Sequence, residues 1–266
     1  MPTLCQTFRK EAGSVWNRMR TAARLGLSLS EETLTECALY NIALAHQGKD
    51  ILIDLATKPA EAKHGADWEW WLVRGNKGLG FRVQAKRLFA DGQYRALHKK
   101  APNSYEQLDK LIAAATSDGL QPLYCFYNFS HPHGQFYGPN LCNHLYRAPS
   151  FWGCSLAFPD QVKKVQSTQL TKLKPAMYPW HMLVCESAKI DLLDAASKFV
   201  EERSQGDHAT GPRDLPTRVT RLMEMSDQRR TTDPDYRLYL DDAFWDGESD
   251  TPEDVSGLIV VRDLRD

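Results

Sequence analysis

Hydrophobic residues recur along this chain either every 3.6 residues, as in helices, or every two residues, as in strands. The two-residue period is clearest between residues 67 and 86. Residues 67–73 (DWEWWLV) are rich in the aromatic and β-branched residues that favour strands. Apolar and polar residues alternate in residues 80–86 (GFRVQAK), and the turn-forming sequence RGNKG lies between the two segments. This pattern predicts two neighbouring strands of one β-hairpin.

One face of the predicted hairpin carries most of its polar side chains. Successive residues of a strand point to opposite faces, so Asp67 and Glu69 share a face of the first strand. Arg82, Gln84 and Lys86 share a face of the second strand for the same reason. Two acids, an amide and an ammonium group can therefore converge across one strand pair.

Strands and a helix are predicted around this hairpin. Residues 49–56 (KDILIDLA) predict a first strand, and residues 121–127 (QPLYCFY) predict a buried strand. Between the hairpin and the buried strand, a helical pattern starts near Ser104 and ends at Asp118. We therefore expect an α/β fold with a central mixed β-sheet flanked by helices. The crossover into residues 121–127 should be parallel and right-handed.

Helical periodicity dominates the chain before the first strand. Residues 4–24 predict one or two short helices broken near Gly13. Ser28 and Glu31 have the S-x-x-E spacing of a capping box, and the apolar stripe that follows ends near Gly48. A helix is therefore predicted immediately before the first strand.

The pattern weakens after residue 128. Later elements are predicted as a core or edge strand at 180–185, a helix at 191–202, a short helix near 219–225 and a terminal strand at 257–261. Residues 204–216 (SQGDHATGPRDLP) have the composition of a linker. We expect a core at 1–130, a loop-rich elaboration packed on it at 131–203, and a linker with an acidic C-terminal segment at 204–266.

The polar face of the hairpin suits a divalent cation and a phosphodiester. Asp67 would supply a carboxylate oxygen, and Gln84 or the carbonyl of Ala85 would complete a partly hydrated Mg²⁺ shell. Lys86 would orient a water molecule or stabilise developing negative charge. The alternative is a half-exposed hairpin with ordinary surface charges.

Asp67 and the run Gln84-Ala85-Lys86, joined through a short hairpin, resemble the core of the PD-(D/E)xK nuclease superfamily, in particular its Mrr-type branch with glutamine in place of the second acid. The strings GADWEWW and QAKRL are also similar to an uncharacterised bacterial family associated with it. The likeness covers roughly residues 28–130. It implies a restriction-endonuclease-like core in which Asp67, Gln84 and Lys86 match the motif positions.

Two departures from the superfamily pattern affect the expected site. Ala66 stands where the superfamily has proline, and Gln84 removes one negative charge, so metal binding should be weaker or Glu69 and Glu61 should contribute more. The resemblance also implies a glutamate from the helix before the first core strand. We favour Glu32 for this role, the alternative being a solvated acid on the helix surface.

Composition narrows the class of protein. The chain has 266 residues, of which 42% are hydrophobic, so it can bury a sizeable core. It has no apolar run near the roughly 18 residues of a membrane span and no secretory signal pattern. Its six cysteines form no CxxC pair, which favours a reducing compartment, and we expect a cytoplasmic protein. Homo-oligomer formation is left open.

Charge is balanced overall but not locally. The net charge is −1, whereas residues 65–100 hold eight Lys or Arg against three acids. Phosphate would be attracted to such a patch, and its candidate nucleic-acid contacts are Arg82, Arg87, Lys77, Lys99 and Lys100. Residues 233–266 hold eleven acids against three basic residues, which predicts a solvated acidic surface or a screen for the basic face.

Zinc-ligand residue types occur in a Gly-, Pro- and aromatic-rich segment, as His131, His133, Cys142, His144 and Cys154. Their spacing fits no common zinc finger, so a structural zinc is not expected. The combined expectation is a Mg²⁺- or Mn²⁺-dependent endonuclease. The resemblance implies duplex DNA rather than RNA as substrate and a bacterial defence role, and the alternative is a non-catalytic nucleic-acid- or protein-binding module on the same fold.

Overall fold

A computed structural model gives the fold and describes residues 2–46, 51–57, 68–95, 97, 106–129, 148–185, 191–204, 206, 211–231, 255 and 257–265. Its helices are α1 (Leu4–Arg24), α2 (Glu31–Ala45), α3 (Glu106–Ser117), α4 (Pro159–Val165), α5 (Leu170–Leu173), α6 (Leu192–Arg203) and α7 (Thr217–Thr231). Its strands are β1 (Ile51–Thr57), β2 (Trp68–Arg74), β3 (Lys77–Arg87), β4 (Gln121–Tyr127), β5 (Cys154–Ala157), β6 (Tyr178–Pro179), β7 (Arg213–Asp214) and β8 (Gly257–Asp263).

The strands of the described residues form one eight-stranded mixed sheet. Its order is β1-β8-β2-β3-β4-β5-β6, with β7 pairing with β3. β2 and β3 are antiparallel, whereas β3 and β4 are parallel, as predicted for the crossover through α3. The predicted α/β fold with a central mixed sheet flanked by helices is therefore confirmed.

The terminal strand β8 lies between β1 and β2 rather than at an edge. It is antiparallel to β1 and parallel to β2. All seven of its residues are buried, which explains its run of apolar residues, since a strand covered on both faces has no solvent side. The C-terminal segment thus supplies a central strand of the sheet.

Helices cover both faces of this sheet. α1, α2 and α6 pack on the face that carries Trp70, where Phe8 of α1 stacks on the Trp70 ring at a centroid distance of 5.5 Å. α3 and α7 pack on the opposite face, where Leu222 of α7 joins Trp71 in a second apolar cluster. Both sheet faces are therefore largely removed from solvent.

The N-terminal helix α1 is continuous, so the predicted break near Gly13 is wrong. A glycine inside a helix costs only about 1 kcal/mol relative to alanine. The face of α1 that carries Phe8, Val15 and Met19 is buried, and each such side chain contributes about 1.5–3 kcal/mol. Burial on both sides of Gly13 therefore outweighs its low helix propensity.

The capping of α2 also differs from the prediction. Ser30, not Ser28, is the N-cap residue, and its hydroxyl accepts a hydrogen bond from the backbone N of Thr33 at 3.2 Å. Glu31 is thus the first residue of the helix, where an acid is favoured by the helix dipole. Two serines two residues apart offered alternative starts, and the sequence motif selected the wrong one.

Beyond β4, the predicted strand at 180–185 is wrong. Trp180–Met182 forms a 3₁₀ turn, and the edge strand is the two-residue β6. The Trp180 indole donates to the backbone oxygen of Phe8 at 2.6 Å, so this segment is fixed by side-chain anchoring and not by strand pairing. The other late predictions are confirmed as α6, a longer α7 and β8. Among the described residues, no helix has the length and hydropathy to cross a bilayer.

Candidate functional site

The register of the β2–β3 hairpin decides which polar side chains meet. Glu69 of β2 lies opposite Arg82 of β3. Alternation then places Gln84 and Lys86 on the same face of β3 as Arg82, as the sequence predicted. All four side chains are buried. The polar face therefore lies inside the protein, beneath α3 and α7.

Glu69 is the centre of a buried ion-pair network. Its Oε1 accepts hydrogen bonds from the Trp71 indole at 2.5 Å and from Nε of Arg218 in α7 at 2.9 Å. Its Oε2 lies 3.4 Å from Arg82, which also donates to Asp118 at 2.6 Å. Both carboxylate oxygens are thus engaged by the protein. This arrangement fastens α7 to the hairpin, a role that the sequence did not indicate.

Gln84 and Lys86 form the other end of the polar face. Gln84 Oε1 accepts a hydrogen bond from the Gln107 amide of α3 at 3.2 Å. Lys86 lies opposite Phe126 of β4, and only 6% of its surface is exposed. Lysine is rarely buried to this extent, because desolvating an ammonium group is costly. The two residues place an amide oxygen and a cation side by side at the end of β3.

Four of the predicted site residues lie outside the described residues. They are Asp67, Glu61, Lys99 and Lys100. The described part of β2 begins at Trp68, whose register partner is Val83. The structure therefore describes the hairpin from Trp68, the residue after Asp67, onward.

Glu32, the acid predicted from α2, is exposed on the helix surface. Its neighbour Glu31 instead approaches the end of β3, where its Oε1 accepts a hydrogen bond from the backbone N of Arg87 at 3.2 Å. The shift by one residue follows from the N-cap at Ser30. Correct placement of that cap would have put Glu31 in the first turn of α2, from which it reaches the end of β3.

Much of the predicted basic patch is neutralised in the fold. Four of its cations pair with carboxylates: Arg74 with Asp191, Lys77 with Asp214, Arg82 with Asp118 and Arg95 with Asp91. Three of these acids lie outside residues 65–100, so a count over that segment overstates the local charge. Arg82 is also 2% exposed, and its guanidinium is held by Glu69 and Asp118 inside the protein. Lys77 and Arg87 remain at the surface as candidates.

Comparison with known protein families shows which family the chain belongs to. The family model described as "family of unknown function (DUF6615)" matches residues 4–265. The chain belongs to the DUF6615 family. No curated protein and no solved structure matches it. For this DUF6615 member, the arrangement of the site must therefore support any functional assignment.

The donors of the polar face fit a hard divalent cation only in part. Among the described residues, no group of three or more His, Cys, Asp or Glu side chains is arranged around a common metal position. Gln84 supplies an amide oxygen, a ligand type that Mg²⁺ accepts beside waters and carboxylates. Glu69 is committed to its ion pairs.

Cys154 is the one candidate zinc-ligand residue within the described ranges. It lies in β5, and burial raises the pKa of its thiol well above the ordinary value, with Cys125 and Glu11 adding to the effect. A thiol held in its protonated form is a poor zinc ligand, because the thiolate is the coordinating species. His131, His133, Cys142 and His144 lie outside the described residues.

Proposed function

We propose that this DUF6615 member is a divalent-metal-dependent nuclease that hydrolyses phosphodiester bonds. The main support is the burial of Gln84 and Lys86 side by side at the end of β3, where the partner strand β2 begins directly after Asp67. Buried ionisable groups cluster at functional sites, because their desolvation must be offset by a task or a partner. The mixed α/β sheet is compatible with the nuclease core that the resemblance implies.

Each residue of the polar face has a distinct role in this proposal. Lys86 orients the attacking water or stabilises the charge that develops on the phosphate. Gln84 and Asp67 supply oxygen ligands, and Glu61 is a further carboxylate. A bound Mg²⁺ or Mn²⁺ would neutralise phosphate charge and activate water. Glu69 is assigned to the ion pairs that fix the hairpin against α7, and not to the reaction.

Duplex DNA is proposed before RNA as the substrate, on the resemblance alone. A cytoplasmic location is proposed on the cysteine usage, supported by the free thiols of Cys37 and Cys154. The test is cleavage of supercoiled plasmid, single-stranded DNA and RNA with Mg²⁺ or Mn²⁺ and with EDTA. We expect metal-dependent cleavage of DNA. Folded protein that cleaves none of the three substrates with either ion would overturn the proposal.

A second candidate is a non-catalytic nucleic-acid- or protein-binding module. It is favoured by the engagement of Glu69 in ion pairs and of Gln84 with Gln107, which leaves few oxygen donors for a cation. Calorimetric titration with Mn²⁺ separates the two functions. The nuclease should bind the ion, and Asp67→Ala should abolish the binding, whereas a binding module need not bind it at all.

A further inference from the structure

A compact cationic cluster follows Lys86 directly along the chain. The guanidinium carbon of Arg87 lies 3.9 Å from the ring centre of Phe89, and that of Arg95 lies 4.1 Å from the same centre. We call these three residues the Arg-Phe-Arg stack. The two guanidinium carbons are therefore at most about 8 Å apart. Cation–π contacts hold two like charges in a small area.

A tight turn after β3 builds this stack. Leu88 and Tyr94 form an antiparallel bridge, and the backbone N of Phe89 donates to the carbonyl of Gln93 at 2.9 Å. Gly92 has a φ of +77°, a conformation that other residues rarely adopt, and it allows the chain to reverse. The reversal brings Arg95 back beside the end of β3.

Tyr94 anchors the turn on the face that carries Lys86. Its ring packs edge-on against Phe126 at a centroid distance of 4.7 Å, and Phe126 is the register partner of Lys86. Its hydroxyl donates to Oδ1 of Asn128, and burial raises the pKa of Tyr94 well above its ordinary value. The turn therefore has a fixed position next to the end of β3.

The outer cation of the stack is accessible. The Arg95 side chain is 65% exposed, and among the described residues it pairs with the carboxylate of Asp91 at 3.4 Å. Exposed ion pairs of this kind contribute little, so a phosphate can compete for the guanidinium. Arg87 is half-buried and presents its charge from the strand side.

A second segment brings another cation to the same place. The backbone N of Leu170 donates to the carbonyl of Gly92 at 3.0 Å, and the backbone N of Tyr94 donates to the carbonyl of Thr168 at 2.9 Å. These bonds fix the start of α5 against the turn. Lys172 of α5 is exposed there. Residues far apart in sequence thus form one cationic surface at the end of β3.

We propose that the Arg-Phe-Arg stack and Lys172 bind the phosphate backbone of nucleic acid beside the end of β3. This inference rests on the proposed nuclease function and adds the surface that holds its substrate. The recognised chemistry is the phosphodiester backbone common to DNA and RNA, because charged contacts of this kind carry no base information. Binding should therefore be independent of base sequence and strongly dependent on salt.

The test is the salt dependence of binding, measured by fluorescence anisotropy in EDTA so that no cleavage occurs. Labelled duplex DNA, single-stranded DNA and RNA of one sequence form the three arms. Arg95→Ala should lower the magnitude of the slope of log K against log salt by about 0.9 for duplex DNA and about 0.7 for single strands. Arg95→Lys should keep the slope, since it keeps the charge.

Lys198→Ala is the matched control. Lys198 is 63% exposed and pairs with Glu202 four residues later, as Arg95 pairs with Asp91 within a similar i,i+4 spacing, but it lies on α6 at the opposite sheet face. Its loss should leave the slope unchanged. Phe89→Leu should weaken binding at constant slope, since both charges remain and only their stacking is lost. Thermal unfolding confirms that each variant is folded.

The outcomes separate this inference from the nuclease proposal. Cleavage by the wild type together with an unchanged slope in Arg95→Ala would overturn the binding surface and leave the nuclease standing. A reduced slope with no cleavage under any metal would support the surface and overturn hydrolysis alone. An equal loss of slope in Arg95→Ala and Lys198→Ala would show diffuse attraction by surface charge, and would also overturn the inference.

Discussion

Two regions of the same sheet face arrange polar side chains in different ways. The first, which we call the α7 region, contains the sheet residues Asp54, Glu69, Arg82 and Arg262 and the α7 residues Arg218, Asp227 and Arg230. Each of these side chains lies within ion-pair distance of an opposite charge in the same region. The second, the β3-end region, consists of Gln84 and Lys86. A hydrogen-bond partner of Gln84 there is the neutral amide of Gln107.

The contrast shows that a row of polar residues on one strand is not a single site. Arg82 belongs to the α7 region, although it shares β3 and a face with Lys86. Its charge is matched by acids, which joins a late helix to the sheet. The β3-end region is followed along the chain by the cations of the Arg-Phe-Arg stack. The first region therefore joins α7 to the sheet, and the proposed chemistry belongs to the second.

The largest effect on stability is expected from Glu69→Gln. The change removes the charge that Arg82 and Arg218 share and leaves Asp118 beside Arg82, and breaking such a network costs about 3–5 kcal/mol. Denaturant unfolding measures this loss. Cleavage per folded molecule should stay near the wild-type value. Glu36→Gln, at an exposed position of α2, is the control and should change neither quantity. Lost cleavage with an unchanged free energy of unfolding would show that Glu69 takes part in the reaction.

Gly80→Ala tests the close packing of the apolar cluster that contains Trp71, Leu120 and Leu222. A Cβ at this position would lie 2.5 Å from Leu120 and 2.7 Å from the Trp71 ring. Overpacking of this kind costs about 1–3 kcal/mol. Gly13→Ala is the matched control, since its Cβ would meet Ser150 at an ordinary 3.7 Å and the helix should gain up to about 1 kcal/mol. Equal unfolding midpoints for both variants would contradict the packing argument.

Gln84→Glu tests whether the β3-end region contributes a metal ligand. It adds a negative charge beside the proposed metal position without changing side-chain length. We expect Mn²⁺ affinity, measured by calorimetry, to rise about tenfold, which corresponds to about 1.4 kcal/mol. Gln84→Ala should have the opposite effect. If neither change alters Mn²⁺ binding, Gln84 does not contribute a metal ligand.

The smallest expected effect is an acid-dependent loss of stability through Asp227. Hydrogen bonds from Arg262 lower the pKa of this carboxyl, its charge and that of Arg230 act in the same direction, and burial opposes them. A lowered folded-state pKa stabilises the fold above the unfolded value, about 4, and this contribution is lost as pH falls through the folded-state pKa. The difference in melting temperature between wild type and Asp227→Asn should therefore narrow below about pH 4. A pH-independent difference would contradict the assignment.

Local patterns in the sequence were sufficient for most elements of the core. Alternation predicted the β2–β3 hairpin, and apolar periodicity predicted α3 and β4, because each pattern records which face of one segment is buried. The place of β8 between β1 and β2 was not predictable in this way. Its pairing joins segments about 200 residues apart, as Asp54 and Val260 show, and no local pattern records which partner a strand takes.

In the candidate site too, local features were predictable from the sequence and contacts between distant residues were not. Alternation predicted that Arg82, Gln84 and Lys86 share a face, and the register confirms it. The partners that distinguish them were not visible, because Arg218 lies 149 residues from Glu69 and Asp118 lies 36 residues from Arg82. Charge counts over a single segment missed these distant acids. The Arg-Phe-Arg stack was missed for a related reason, since it depends on the reversal at Gly92.

The proposed role of Lys86 in catalysis is tested most directly by the cleavage rate of Lys86→Ala on duplex DNA with Mg²⁺. Removal of a group that stabilises transition-state charge is expected to lower the rate by about 10²- to 10³-fold. The melting temperature should be retained, and Lys86→Met, which keeps the side-chain length without the charge, should behave in the same way. The control Lys198→Ala should cleave at the wild-type rate. A folded Lys86→Ala protein that also cleaves at the wild-type rate would contradict the assignment of chemistry to the β3-end region.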